Sequence, residues 1–152
     1  MLKPCVVGLG YKAGYANKGQ GQWIAIGYEA MGGTPGTNEA SGEAIGYRAM
    51  YNAKDGSSGT ALGNSALENI VGDYSIAIGS EAGRYATGSY NTFVGKSAGY
   101  GGTTSAPFSS GQYNTAIGYQ TMVVFTTGQQ NFIGGYRAGY SLSTGNYNVY
   151  LG

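Results

Sequence analysis

The sequence predicts an all-β chain wound as a parallel β-solenoid, and three observations carry that expectation. The first is an internal repeat. An apolar–Ala–Ile–Gly–Tyr–x–Ala pattern recurs along the 152 residues, each copy anchored on one glycine: Gly10, Gly27, Gly46, Gly63, Gly79, Gly95, Gly118, Gly135 and Gly152. The anchors are spaced 17, 19, 17, 16, 16, 23, 17 and 17 residues apart, and self-similarity at a near-constant period marks a repeat architecture. The second is alternation. Ile24 and Ile26 flank Ala25, and Ile76 and Ile78 flank Ala77, the period of two that belongs to a strand. The third is composition. The chain has 30 Gly, and its Leu, Ile, Val and Phe together number 25, too few to fill one round core.

Taken in order, the copies are GLGYKAG (8–14), AIGYEAM (25–31), AIGYRAM (44–50), ALGNSAL (61–67), AIGSEAG (77–83), FVGKSAG (93–99), AIGYQTM (116–122), GGYRAGY (134–140) and a closing VYLG. In each, the residues ahead of the anchor read as a strand and those behind it as a turn. Glycines seven places ahead of six anchors, at 56, 72, 88, 111, 128 and 145, mark a second turn, because Gly supplies positive φ at little cost. No window sustains a 3.6-residue period, and Gly every few residues would cost a helix about 1 kcal/mol each. One repeat therefore makes one coil, about nine coils of 16–17 residues form a single domain over 1–152, and adjacent coils stack edge to edge at about 4.8 Å. The aliphatic row next to the anchors (Leu9, Ile26, Ile45, Leu62, Ile78, Val94, Ile117, Leu151) is expected to point inward. Copy eight has Gly134 in that row, so a one-residue slip placing Ile133 there is expected. The Ala, Met and Tyr rows behind the anchor are expected to form a flat face buried between identical chains.

Other classes lose support at the same step. The 8 basic and 7 acidic side chains leave a net charge of +1, and the basic residues are scattered rather than gathered into a nucleic-acid stripe. The chain has no His and a single Cys5, which leaves neither a disulfide within the chain nor a Cys/His metal cluster. No apolar run approaches the ~18 residues of a membrane-spanning helix, and the N-terminus lacks a signal-peptide pattern. The Gly-rich strings do not fit the phosphate-loop spacing. Glu29, Glu81 and Gln120 share one repeat position with Lys12, Arg48 and Arg137, which reads as a charged ladder rather than paired catalytic acids. The expectation is a protein that is not an enzyme and takes no cofactor or metal.

The segments YNTFVGKSAGY (90–100), YNTAIGYQTM (113–122) and NYNVYLG (146–152) resemble repeats of bacteriophage tail fibres and related surface proteins. The A-I-G-x-x-A signature also resembles the left-handed parallel β-roll heads of trimeric bacterial adhesins, although the units here are longer and richer in Tyr. The resemblance implies a left-handed roll, a parallel homotrimer and attachment to a host cell surface. It also implies a virion or other extracellular location, with neighbouring fibre segments and a host glycan as partners and no membrane insertion. A bacterial adhesin head and a purely structural shaft are the other readings it leaves. The chain breaks off in mid-repeat at Gly152, so a piece of a longer fibre is expected.

Candidate receptor contacts fall in two insertions, 31–43 and 100–112, which a solenoid tolerates at a corner where loops project. Thr34 and Asn38 stand in the first, and Tyr100, Thr103, Thr104 and Phe108 in the second; Trp23, the only Trp, is expected just before a strand, as an edge cover or a contact. Covering a neighbouring subunit is the competing role for these aromatic residues. Two Tyr rows admit two readings each, a stacked ladder or a platform for sugar rings: Tyr11, Tyr28, Tyr47, Tyr119 and Tyr136 behind the anchors, and Tyr74, Tyr90, Tyr113 and Tyr147 ahead of the strands.

Overall fold

A computed structural model describes residues 6–15, 17, 22–33, 40–54, 57–102 and 108–152. Nine strands form one parallel sheet in sequence order: β1 (Val6–Leu9), β2 (Trp23–Ile26), β3 (Ser41–Ile45), β4 (Ser58–Leu62), β5 (Ser75–Ile78), β6 (Thr92–Val94), β7 (Thr115–Ile117), β8 (Phe132–Gly134) and β9 (Val149–Leu151). Each strand pairs with the one before and the one after it, so the chain is a β-solenoid of about eight turns. The described residues contain no helix.

The anchor glycines end the strands at φ between +113° and +141°, a range in which a side chain is strained. Stacking adds a second constraint. A Cβ on Gly79 would lie 2.6 Å from the Gly95 carbonyl oxygen of the next coil. The residue two places on is left-handed in every full copy, from Lys12 (φ 52°) to Arg137 (φ 56°). The following N–H closes the turn onto the anchor carbonyl, as Ala82 does to Gly79 at 3.2 Å.

The core reverses the expected facing of the strands. The aliphatic row points outward, with Leu62, Ile78 and Ile117 at 46%, 40% and 44% exposure. The inward row is the small one: Ala25, Ala44, Ala61, Ala77, Phe93, Ala116 and Ile133 are buried. The physical reason is the width of the coil. The strand faces a turn only a side chain away, and that turn fills the space with Met31, Met50, Leu67 and Met122, all buried. A methyl from the strand and a long side chain from the turn complete the layer. The Ala and Met rows behind the anchor are therefore interior and cannot form the outer face expected of them.

The expected slip at copy eight does not occur. Ile117 pairs with Gly134 and Ala116 with Ile133, so Ile133 belongs to the buried inner row and Gly134 is a gap in the outer one. Gly139 in the facing turn makes room for it, since a Cβ there would lie 3.0 Å from Ile133 Cγ2.

The Tyr–Asn dipeptides acquire a role in this arrangement. Asn91, Asn114, Asn131 and Asn148 stack as an inward ladder, and the side-chain amide of each later Asn donates to Oδ1 of the one before, at 3.2, 2.9 and 2.9 Å. Each of those oxygens also accepts the backbone N–H of the following Asn. Asn91, Asn114 and Asn131 further donate to the Gly111, Gly128 and Gly145 carbonyls. Buried amides tolerate this position because their donors and acceptors are met.

Candidate receptor-binding surface

The outer face of the sheet is built from alternate strand positions. The row next to the anchors is aliphatic from Leu9 to Leu151, broken only at Gly134. The row two places earlier is mixed, running through Ile24, Glu43, Thr60, Ile76, Thr92, Thr115 and Phe132. Strands apolar on both faces, such as WIAI and SIAI, are typical of sheets covered on both sides. Here one side is the chain's own core and the other is open.

Both Tyr rows form ladders within the chain. Tyr11, Tyr28 and Tyr47 stack at 5.0 and 5.3 Å between ring centroids. Tyr119 and Tyr136 stack at 5.5 Å. In the second row Tyr74, Tyr90 and Tyr113 stack at 5.6 and 5.0 Å. Rings inside a ladder turn their faces toward one another and present edges and hydroxyls outward. A sugar that stacks on an aromatic face finds one only where a ladder stops. Glu29 beside the Tyr28 hydroxyl pushes its pKa above the usual phenol value.

Glu29, Arg48 and Glu81 of the shared row join an ion network with Glu68 and Arg84. Arg48 contacts Glu68 at 3.2 Å and reaches Glu29 only at 3.8 Å. Arg84 contacts Glu68 at 2.7 Å and Glu81 at 3.0 Å. Glu68, nearly buried, is shared by two guanidinium groups and was not singled out by the repeat, because it stands in a turn position with no charged counterpart in most copies. Arg48 also lies 4.0 Å from the Tyr51 ring centroid and Arg137 4.7 Å from that of Tyr140. The Y-R-A-x-Y spelling places cation and ring on one side of the turn. Among the described residues no group of His, Cys, Asp and Glu side chains could hold a metal ion.

The receptor candidates from the sequence do not converge. Trp23 is the first residue of β2, and its ring fills the first coil: it lies against Gly14, where a Cβ would overlap it, and 3.6 Å from a Cβ built on Gly8. Tyr100 and Phe108 sit together several coils away, both against Tyr85, at 5.1 and 5.7 Å between centroids. Their partner is thus a ring of their own chain, and burial raises the Tyr100 phenol pKa. Thr34, Asn38, Thr103 and Thr104 lie outside the described residues. The flanks of both insertions belong to the coil. Ala40 is buried, β3 starts at Ser41, and Gly101 and Gly102 donate to the Val123 and Phe125 carbonyls.

No protein-family model matches the chain, and neither a curated protein nor a solved structure matches it.

Proposed function

We propose that this chain is a non-enzymatic segment of a homotrimeric fibre or adhesin, most simply a phage tail fibre, that attaches to a host cell surface. The observation that carries the reading is the outer aliphatic row. It runs the length of the stack on the outer sheet face, interrupted only at Gly134, and apolar surface of that extent marks an interaction site. Identical chains present matching rows, so parallel copies bury the row next to the anchors with every coil in register. A rod of about eight rungs at about 4.8 Å is roughly 40 Å long. Three such rods carry three copies of any weak receptor site, and avidity makes attachment firm. The extracellular or virion setting, the neighbouring fibre segments and the glycan receptor belong to the same proposal.

The test is solution mass by light scattering with circular dichroism on the same sample. A β spectrum at about three times the 15.6 kDa chain mass is expected. A folded monomer overturns the trimeric reading. Assembly without binding to any cell surface would reduce the protein to a structural shaft.

A further inference from the structure

The ladder of rings ahead of the strands starts abruptly at Tyr74. In the two preceding coils the same register position is held by Ser58 and Ser41, one place ahead of Gly59 and Gly42. The face of Tyr74 turned away from Tyr90 therefore has no ring against it among the described residues. Tyr74 is 66% exposed, against 47% for Tyr90 and 51% for Tyr113. A groove of about 320 Å³ opens at this place, floored by the Gly59 backbone, walled by Tyr74 and Ile76, and rimmed by Ser58, Thr60 and Glu43.

The polar rim has a defined hydrogen-bonding polarity. The Thr60 hydroxyl donates to Glu43 Oε2 at 2.9 Å, which orients the carboxylate and leaves the Thr60 oxygen as an acceptor. Glu43 has no ion-pair partner among the described residues, so its other oxygen is open to a donor. Glu43 and Thr60 also stand where Ile24 and Ile76 stand in adjacent coils. The apolar outer face is interrupted here, in the row two places ahead of the Leu9–Leu151 row that the proposed assembly covers.

We infer that this groove binds a neutral pyranose ring, seated with its C–H face on the free face of Tyr74 and its edge against Ile76. Adjacent ring hydroxyls donate to the free Glu43 oxygen and to Thr60, and Ser58 supplies both a donor and an acceptor. An apolar face with a rim of hydroxyls is the shape of a sugar, and it matches an aromatic wall beside a polar rim. The Glu43 charge disfavours sialic and uronic acids. As a receptor contact this inference rests on the attachment reading above; sugar binding itself does not.

The experiment is an NMR titration of the intact chain with the methyl glycosides of glucose, galactose, mannose and N-acetylglucosamine. At least one should shift the Tyr74 ring and Thr60 methyl signals saturably in the range of about 1 mM or above. Tyr74→Ala removes the platform, and Ser58→Tyr caps it by extending the ladder by one ring. Each should weaken binding about tenfold. The inference is overturned if no glycoside shifts these signals, or if the Thr60 methyl shift persists in both variants. It is equally overturned if tetramethylammonium binds in place of the glycosides, which would make the groove a cation site. An unaltered chain that trimerises and attaches to cells but binds none of the glycosides sinks this site alone. A monomer that binds sugar sinks the trimer alone.

Discussion

The ring of Phe93 occupies the space that a side chain on Gly99 would need, so the two residues fill their coil as a pair. A Cβ on Gly99 would overlap that ring, and one on Gly83 in the preceding coil would lie 2.8 Å from it. The same exchange recurs along the stack. Coils with Ala on the strand carry Met or Leu in the turn (Ala25/Met31, Ala44/Met50, Ala61/Leu67, Ala116/Met122), and coils with a large strand residue carry Gly there (Phe93/Gly99, Ile133/Gly139). Where both positions are small, a neighbour reaches in: Leu67 and Phe93 over Gly83, and Trp23 over Gly14. At this pair of positions each layer holds about one large side chain, to which Ile70 and Phe125 add a second in two coils.

That rule can be tested by transplanting the pair. Ala116→Phe alone overfills its layer and should cost about 1–3 kcal/mol. Met122→Gly alone empties it and should cost about 2–5 kcal/mol. The double variant should recover most of both losses in a urea-denaturation cycle. Additive losses would show that the pairing is incidental.

Glycines of this chain should divide sharply by position. Gly79→Ala meets both the +133° φ and a backbone oxygen at 2.6 Å, and should cost about 3 kcal/mol. Gly134→Ala meets only Leu151 Cδ2 at 3.4 Å, with no positive φ. It should leave stability unchanged or raise it by about 0.4–1 kcal/mol. Thermal unfolding of the two variants decides the point, and equal losses would contradict the stacking account.

Asn114→Ala should unravel the ladder from its middle. It takes the Asn114 partner from the Asn131 backbone N–H, from one N–H of the Asn131 amide and from the Gly128 carbonyl in the interior, at a cost of about 1–3 kcal/mol for each unmet group. Asn114→Asp keeps the shape but faces Asn91 Oδ1 and the Gly128 carbonyl with an acceptor where a donor stood. Burial raises that carboxyl's folded-state pKa above its unfolded value. The variant's deficit should therefore be full at neutral pH and shrink as pH falls through the folded-state pKa. A deficit independent of pH between 4 and 7, on the order of those two limits, would argue against a buried carboxylate.

Charges placed on the outer aliphatic row should break assembly and spare the fold. Ile78 and Ile117 are 40% and 44% exposed in the single chain, so Lys at both leaves the core intact. Light scattering should fall to the mass of one chain while the β spectrum stays. An unchanged mass would mean that another surface joins the chains.

The repeat unit, its anchors and the parallel stacking were legible because each coil restates one pattern and the anchor tolerates only glycine. The facing of the strands was not. Period two says that neighbours point to opposite sides, yet it does not say which side is inside, and ranking by hydrophobicity assigned the larger Ile row to the core. The Asn ladder was not read from the sequence, although the Tyr–Asn pair recurs at 90–91, 113–114 and 147–148.

The sequence by itself determined a coil of about 17 residues, its number of rungs and the corners where Gly must stand, since these depend on local backbone conformation and period. Only the tertiary structure decided which row fills the core, because that depends on the distance from strand to facing turn. It likewise decided that the Tyr rows are ladders and that one of them ends in an open face at Tyr74, since ring stacking requires residues from successive coils to be brought into register.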